Sequence, residues 1–152
     1  MELRAYTAGD AQATLGIFLR AVRETARAHY SPEQVEAWAA DSGDLDSWDA
    51  ARAAPHTQLA IVDGQVAGFT DVDDHGYVDM LFVDPDFGRR GVASALLASV
   101  VALARQRGLP ALTTFASLTS RPVFERRGFV ITGEGERAAK TYAMRCVLHG
   151  TL

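Results

Sequence analysis

Two arginines between two glycines lead into an apolar helix in the middle of the chain, an arrangement typical of a phosphate site. The segment Gly88-Arg89-Arg90-Gly91 follows the β-rich run Leu81-Phe82-Val83 and an Asp-Pro turn. Apolar residues then recur at helical spacing from Val92 to Leu103. A glycine loop that enters a helix leaves unpaired backbone N–H groups at the positive end of the helix dipole. We therefore predict that an anion binds the N–H groups around Gly91, where a side chain would obstruct its approach.

The loop has neither of the two common nucleotide-binding patterns. There is no G-x-x-x-x-G-K-[ST], which excludes a P-loop, and the absence of G-x-G-x-x-G argues against a dinucleotide site. Residues 88–93 instead resemble motif A of the GCN5-related N-acetyltransferases (GNAT), [QR]-x-x-G-x-[GA], with Gly88 in the first position. Residues 117–129 resemble the family segment N-x-x-A-x-x-x-Y-x-x-x-G-F, with Ser117 for Asn and Phe124 for Tyr. Residues 30–34, Tyr-Ser-Pro-Glu-Gln, resemble a bacterial subgroup of this family.

The hydrophobic pattern predicts one α/β domain, residues 1–152, with a mixed β-sheet flanked by helices, as in the acetyltransferase fold. Helices are expected after caps at Thr7 or Asp10, at Ser31 and at Asp44. The strands are predicted around Leu3–Ala5 and at Thr57–Val62, Gln65–Val72, Tyr77–Val83, Ala111–Phe115, Phe129–Thr132 and Lys140–Leu148. The three strands between Thr57 and Val83 are expected to form an antiparallel meander. Besides the motif helix, a helix is expected from Thr119 to Arg127.

Composition restricts the classes of protein that the chain can form. Its 152 residues are 48% hydrophobic, so a substantial core is expected and disorder is not. The net charge of −4 argues against a nucleic-acid coat, and no apolar run approaches the ~20 residues of a membrane span. Cys146 is the single cysteine, which suits a reducing compartment. We expect a cytoplasmic domain with no membrane or nucleic-acid partner.

The resemblance implies acetyl-CoA as co-substrate and an amine as acceptor. The pantetheine arm would run along Leu81, Phe82 and Val83, with a backbone N–H near Leu81 or Phe82 as donor to the oxyanion. The pyrophosphate would lie on the N–H groups of Arg89, Arg90, Gly91, Val92, Ala93 and Ser94, and Ser117 and Phe124 would lie beside the thioester. The arginine side chains are equally consistent with solvated surface residues. Families of this kind often form dimers, so a homodimer is a further expectation.

Acyl transfer to an amine requires a base for the amine proton and a proton for the departing thiolate. Asp79, flanked by Val78 and Met80, is the candidate base, and its alternative role is that of a structural aspartate. Phe124 cannot act as the acid that the family's tyrosine provides. Tyr77, Tyr142 and Ser117 are the alternative donors, and unaided departure of the thiolate is a further alternative, because it is a good leaving group.

The acceptor is expected between the first two helices and the meander, where His29, Tyr30 and Trp38 could contact it, although Tyr30 and Trp38 are also typical packing residues. No metal is expected, because His29, His56, His75 and His149 are scattered in the sequence. Two other classes remain open. They are a non-catalytic acyl-CoA-binding or regulatory module, which Gly88 and Phe124 favour, and a nucleotide-binding protein that uses the same loop.

Overall fold

The computed structural model describes residues 1–136 and 140–148, and His149 lies outside these ranges. The helices are α1 (Ala11–Arg20), α2 (Pro32–Ala40), α3 (Leu45–Ala53), α4 (Val92–Gln106) and α5 (Arg121–Arg126). The strands are β1 (Glu2–Ala5), β2 (His56–Val62), β3 (Gln65–Val72), β4 (Tyr77–Val78), β5 (Leu81–Val83), β6 (Ala111–Ala116), β7 (Val130–Glu136) and β8 (Lys140–Val147). Helix α1 continues through a π-helical turn, Ala21–Thr25, and a 3-10 turn, Ala26–Ala28. The predicted α/β class is confirmed.

Helix starts follow local hydrogen bonds that the sequence predicts. The Ser31 Oγ accepts from Gln34 N–H at 3.2 Å and the Gln34 Oε1 accepts from Ser31 N–H at 2.9 Å, which completes the predicted capping box of α2. Asp44 Oδ1 accepts from Ser47 N–H at 2.7 Å and caps α3. The helix predicted from Thr119 begins two residues later, at Arg121.

The strands form two four-stranded sheets that meet at one segment. The first sheet has the order β1-β2-β3-β5 and is antiparallel throughout. The second has the order β4-β6-β8-β7, with β4 parallel to β6. The prediction of one continuous strand from Tyr77 to Val83 is therefore wrong. Its first two residues pair with β6, its last three pair with β3, and the chain changes sheet at Asp79 and Met80.

The change of sheet is held by side chains of β3. Asp71 Oδ1 accepts from both Asp79 N–H, at 2.8 Å, and Met80 N–H, at 3.0 Å. Thr70 Oγ1 donates to Met80 C=O at 2.7 Å. We call this arrangement the Asp71 clamp. It satisfies backbone groups that a regular strand ladder would otherwise pair, so the strand can be interrupted without leaving buried polar groups unbonded.

Helix α4 packs against both sheets. Val92 and Leu96 belong to one buried cluster, under β2 and β3, whereas Leu97 and Val100 belong to another, with residues of the second sheet. Gly68 of β3 permits this approach, because a Cβ there would lie 2.8 Å from Phe82 O and 3.0 Å from Val92 Cγ1. The N-terminus of α4 is thereby fixed where the two sheets separate.

The Asp71 clamp makes a prediction about stability and pH. Burial raises the pKa of Asp71 to about 6, in opposition to the hydrogen bonds from Met80 and Asp79. Because this pKa lies above the unfolded value, the contribution of Asp71 to stability is complete below about pH 4 and is lost as the pH rises through about 6, by up to roughly 3 kcal/mol. Asp71→Asn keeps an Oδ1 acceptor without the charge. We therefore expect it to gain stability relative to the unmodified protein between pH 4 and 7, measured by urea unfolding.

The matched variant Asp71→Ala removes the acceptor. The half-buried N–H groups of Asp79 and Met80 then lose their partner, at a cost of about 2–4 kcal/mol. Parallel pH profiles for the unmodified protein and Asp71→Asn would show that the buried charge has no part in this stability.

Candidate active site

A cavity of about 440 Å³ opens where the two sheets separate. One wall comes from helices α1, α2 and α3 and from the preceding turns, and the opposite wall comes from β6, α5 and β8. Asp79 to Phe82 contribute to the lining between them. The aromatic residues of the lining are Phe18, Tyr30, Trp38, Trp48, Phe82, Phe115 and Phe124. Its polar and charged residues are Asp41, Ser42, Arg52, Asp79, Thr114, Ser117, Ser120 and Thr141.

The cavity brings together many of the residues selected from the sequence, although they come from distant parts of the chain. Its lining includes the predicted residues Tyr30, Trp38, Asp79, Leu81, Phe82, Ser117 and Phe124. His29 is exposed and does not belong to this lining. Tyr77 and Val83 also lie outside it, as do the loop residues from Arg89 to Ser94.

Strand β5 has one edge paired and one edge facing away from the first sheet. Met80 C=O accepts from Asp71 N–H at 3.3 Å and Asp84 N–H donates to Ala67 C=O at 2.8 Å. Backbone groups alternate in direction along a strand, so those of Leu81 and Val83 point away from β3. Since β5 is the last strand of its sheet, an extended molecule can pair with this edge.

The loop before α4 presents backbone N–H groups. Gly91 has a φ of 77°, and no atom lies within 4 Å of the position that its Cβ would occupy. The first intrahelical bond after it runs from Ala95 N–H to Gly91 C=O, at 3.0 Å. The N–H groups of Val92, Ala93 and Ser94 precede that bond and are available at the positive end of the helix. The loop thus has the open, donor-rich form that the sequence predicts.

The two arginines of this loop differ. Arg89 has a left-handed φ of 63°, which a non-glycine residue seldom adopts, and its side chain is exposed. Arg90 lies with its guanidinium 5.4 Å from the centre of the Phe87 ring and 4.0 Å from Asp63 Oδ2. Arg90 therefore has surface partners of its own, whereas the unusual backbone of Arg89 contributes directly to the curvature of the loop.

The loop is anchored on both sides. Asp84 Oδ1 accepts from Asp86 N–H at 3.0 Å, and Asp84 Oδ2 forms an ion pair with Arg20 of α1. On the other side, Arg127 Nη2 donates to Ser94 C=O at 3.3 Å. These contacts hold the loop in its open form before any ligand arrives, which lowers the entropy cost of binding.

Asp79 lies half-buried at the point where the sheets separate. The Tyr77 hydroxyl donates to Asp79 Oδ1 at 3.4 Å, and the Tyr77 ring packs edge-on against Phe115 with centres 6.2 Å apart. The structure therefore brings the two predicted catalytic residues together. Asp79 is in the cavity lining, and Tyr77 contacts it from outside.

Phe124, which the resemblance aligns with the tyrosine of the family segment, carries no hydroxyl. Its side chain is 2% exposed and packs edge-on against Phe129, with ring centres 5.1 Å apart. Hydroxyls are present nearby in the lining, on Ser117 and Ser120, whose Oγ atoms are 3.0 Å apart. Each Oγ also accepts the other residue's backbone N–H, at 3.0 and 3.1 Å. One O–H suffices for the bond between the two oxygens, so the other O–H is left to bond a third group.

Tyr30 links the helical wall to the opposite wall. It is buried, its hydroxyl accepts from Leu118 N–H at 2.7 Å, and burial raises its pKa. Its ring packs edge-on against Trp38, with centres 5.8 Å apart. Both predicted acceptor contacts therefore also have a packing role.

Sequence reasoning missed Arg52 and Trp48, which form one unit in the helical wall. The Arg52 guanidinium lies 4.3 Å from the centre of the Trp48 ring. Their spacing of four residues in a helix is a usable signal for such a pair. This spacing alone does not identify Arg52 as a buried residue, because arginines are mostly exposed.

Comparison with known proteins settles the family. A family model described as an acetyltransferase (GNAT) domain matches residues 26–144. The chain belongs to the GNAT family. The Escherichia coli (strain K12) protein named "Uncharacterized N-acetyltransferase YafP" is 44% identical to this GNAT protein over 129 residues, which cover 85% of this chain and 81% of that protein.

Solved structures agree with this assignment. A GCN5-related N-acetyltransferase from Rhodopseudomonas palustris, described as "Aminotransferase, Class-II", superimposes on this GNAT protein with a TM-score of 0.93 at 30% identity, covering 97% of this chain and 95% of that one. The PaiA N-acetyltransferase from Thermoplasma acidophilum, solved with coenzyme A, gives a TM-score of 0.79 at 14% identity, covering 97% and 98%. At that identity the second likeness shows the fold alone.

Within residues 1–136 and 140–148, no helix has the length and apolar character that crossing a membrane requires. In the same part of the chain, no group of three or more His, Cys, Asp or Glu side chains is placed to hold a metal ion.

Proposed function

We propose that this GNAT protein transfers an acetyl group from acetyl-CoA directly to an amine. The observation that carries the proposal is the separation of the two sheets at Asp79, beside the open N-terminus of α4. One slot there offers both a free strand edge and a set of backbone N–H donors. Membership of the acetyltransferase family supports the reaction, and the coenzyme A in the PaiA structure supports the cofactor.

The cofactor binds mainly through backbone groups in this proposal. Its pyrophosphate lies on the N–H groups from Arg89 to Ser94, where the helix dipole favours negative charge. Its pantetheine arm lies along β5 and pairs with the outward-facing groups of Leu81 and Val83, as an added strand would. The exposed Arg89 side chain is placed to add a charge-assisted contact to a phosphate.

The chemical step joins the amine nitrogen to the thioester carbonyl carbon. As that bond forms, the carbonyl oxygen gains negative charge, and the outward N–H of Leu81 stabilises it. Collapse of the intermediate breaks the C–S bond, and the second proton of the former ammonium nitrogen passes to the departing sulfur, so the products are the amide and the thiol of CoA. An alkylammonium with a pKa of about 10.4 must lose a proton first, and Asp79 at the cavity accepts it.

The thiolate leaves without the tyrosine that the family usually provides. A thiolate whose thiol has a pKa of about 8.5 is already a good leaving group, so a hydrogen-bond donor is enough to assist its departure. We assign this donor to the Ser117 and Ser120 pair, because its spare O–H lies in the cavity lining. Tyr77 and Tyr142 are the remaining alternatives, and the Tyr77 hydroxyl already contacts Asp79.

We propose a bacterial cytoplasm as the cellular setting. The buried, single Cys146 suits a reducing cytoplasm, and the relatives from Escherichia coli and Rhodopseudomonas palustris are bacterial proteins. A homodimer remains a prediction of the family resemblance.

The central prediction is that an amine panel with acetyl-CoA releases free thiol. The protein is incubated with acetyl-CoA and single amines, and the thiol is measured with a chromogenic reagent. We expect release above the rate of hydrolysis with at least one amine, and a higher melting temperature with acetyl-CoA alone. Stabilisation by acetyl-CoA with no release from any amine would favour a non-catalytic acyl-CoA-binding module. Stabilisation by ATP or NAD but not by CoA would favour a nucleotide-binding protein.

Gly91→Glu should abolish acetyl-CoA binding, measured by calorimetry, while circular dichroism stays that of a folded protein. The new carboxylate would occupy the space for the pyrophosphate and repel it. Gly108→Glu is the matched control. It lies beyond the other end of α4, has a φ of 72° and likewise has no atom within 4 Å of its Cβ position, so it reproduces the backbone strain. Equal affinity for acetyl-CoA in the two variants would place the phosphates elsewhere.

Asp79→Asn should lower turnover by about 10²–10⁴-fold at neutral pH, the range typical of a removed general base. Its affinity for acetyl-CoA should change little, since the proposed cofactor contacts are backbone groups. Thiol release and calorimetry measure the two effects separately. An Asp79→Asn variant with full turnover would remove Asp79 from the mechanism.

A further inference from the structure

Arg52 is a buried cation in the wall of the cavity. Its side chain comes from α3, the residue is 4% exposed, and it lines the cavity together with Asp79. Two of its nitrogens, Nε and Nη1, are inaccessible to solvent and have no hydrogen-bond partner among the described residues. One face of the guanidinium is occupied, because it stacks on Trp48 at 4.3 Å from the ring centre. Nη2 is not among these enclosed donors, so it is the nitrogen through which a ligand in the cavity meets the guanidinium.

A buried guanidinium with unbonded donors is costly, since a charge removed from water needs both a counter-charge and hydrogen bonds. Burial lowers the pKa of Arg52, and the negative charges of Asp71 and Asp79 raise it. Asp71 and Asp79 supply counter-charge, but no described side chain accepts a hydrogen bond from Nε or Nη1. The protein therefore keeps a guanidinium with unbonded donors in the wall of its cavity, where a ligand can complete the hydrogen bonding.

We propose that the acceptor amine carries a carboxylate, and that Arg52 binds it. The proposal rests on the acetyl transfer proposed above. A guanidinium presents planar, parallel donors that match the two oxygens of a carboxylate. A phosphate dianion suits the site less well, because Arg52 is one positive charge beside two acidic side chains.

The acceptor is accordingly a small amino-carboxylate with an apolar or aromatic body. Arg52 and Asp79 line one cavity and interact electrostatically, so they can receive the two ends of a zwitterion. The ammonium lies beside Asp79, which takes its proton, and the carboxylate lies on Arg52. The remaining wall is largely aromatic, with Phe18, Trp38 and Trp48 on the helical side. A volume of about 440 Å³ suits such a molecule.

The test compares amino acids with partners that lack the carboxylate. L-phenylalanine, for example, is paired with 2-phenylethylamine in one comparison and with phenylalanine amide in another. Each compound is titrated by calorimetry into protein saturated with CoA, so that binding is read without turnover. For at least one pair we expect the carboxylate member to bind at least about tenfold more tightly, since a charge-assisted hydrogen bond is worth that much or more. The thiol-release assay then gives kcat/KM for the same pairs.

Arg52→Gln should remove this discrimination within the preferred pair and leave the affinity for CoA unchanged. Arg27→Gln, at an exposed arginine outside the cavity lining, is the matched control and should keep it. Arg52→Lys retains the charge but lacks the planar pair of donors, so it should keep part of the preference for the carboxylate. This variant covers the case in which the glutamine variant does not fold. A role of Arg52 confined to balancing Asp71 would change stability and not the discrimination.

Two outcomes would overturn the proposal. They are equal binding of both members of every pair by the unmodified protein, and an undiminished preference for the carboxylate in Arg52→Gln. Acetylation of the amines without a carboxylate, at equal kcat/KM, would leave the acetyl transfer standing and remove the Arg52 site. Preferential binding of the carboxylates with no thiol release would support the Arg52 site and contradict the acetyl transfer.

Discussion

One buried carboxylate holds the two sheets of this protein in their relative arrangement. Asp71 Oδ1 accepts two successive backbone N–H groups, from Asp79 and Met80, where the chain leaves one sheet and enters the other. Without an acceptor for these groups, the interruption would leave buried donors unbonded, and a continuous strand would be favoured. The free edge of β5 and the cavity beside it both depend on that interruption. The clamp has its own cost, since burial raises the pKa of Asp71 to about 6.

The site divides the work of binding between backbone and side chains. The cofactor contacts that we propose are N–H and C=O groups of β5 and of the N-terminus of α4, held in place because α4 packs against both sheets. Such contacts depend on backbone geometry more than on side-chain identity. This explains how motif A can begin with Gly88 and still form an open loop. Acceptor recognition, in contrast, falls in our proposal to side chains of the helical wall, of which Arg52 carries the positive charge.

Loss of the tyrosine hydroxyl at Phe124 is compatible with the reaction because of what surrounds that position. Phe124 is buried, and its ring packs edge-on against Phe129 beside the cavity. Ser117 and Ser120, in the same lining, together have more O–H donors than their mutual bonds use. A thiolate needs less assistance than an alkoxide would, because the thiol is the stronger acid. In our proposal the site therefore has a donor for the thiolate without the tyrosine of the family pattern.

Local features of the chain were determined by the sequence itself. Caps at Ser31 and Asp44 and the loop at Gly91 each depend on residues a few positions apart, so local chemistry decides them. The loop and many cavity residues could be predicted for the same reason, once the resemblance aligned the motifs. Only the tertiary structure divided the strand at Asp79, exposed His29 and buried Arg52. Each of these depends on contacts between segments distant in the chain, and no local pattern encodes such contacts.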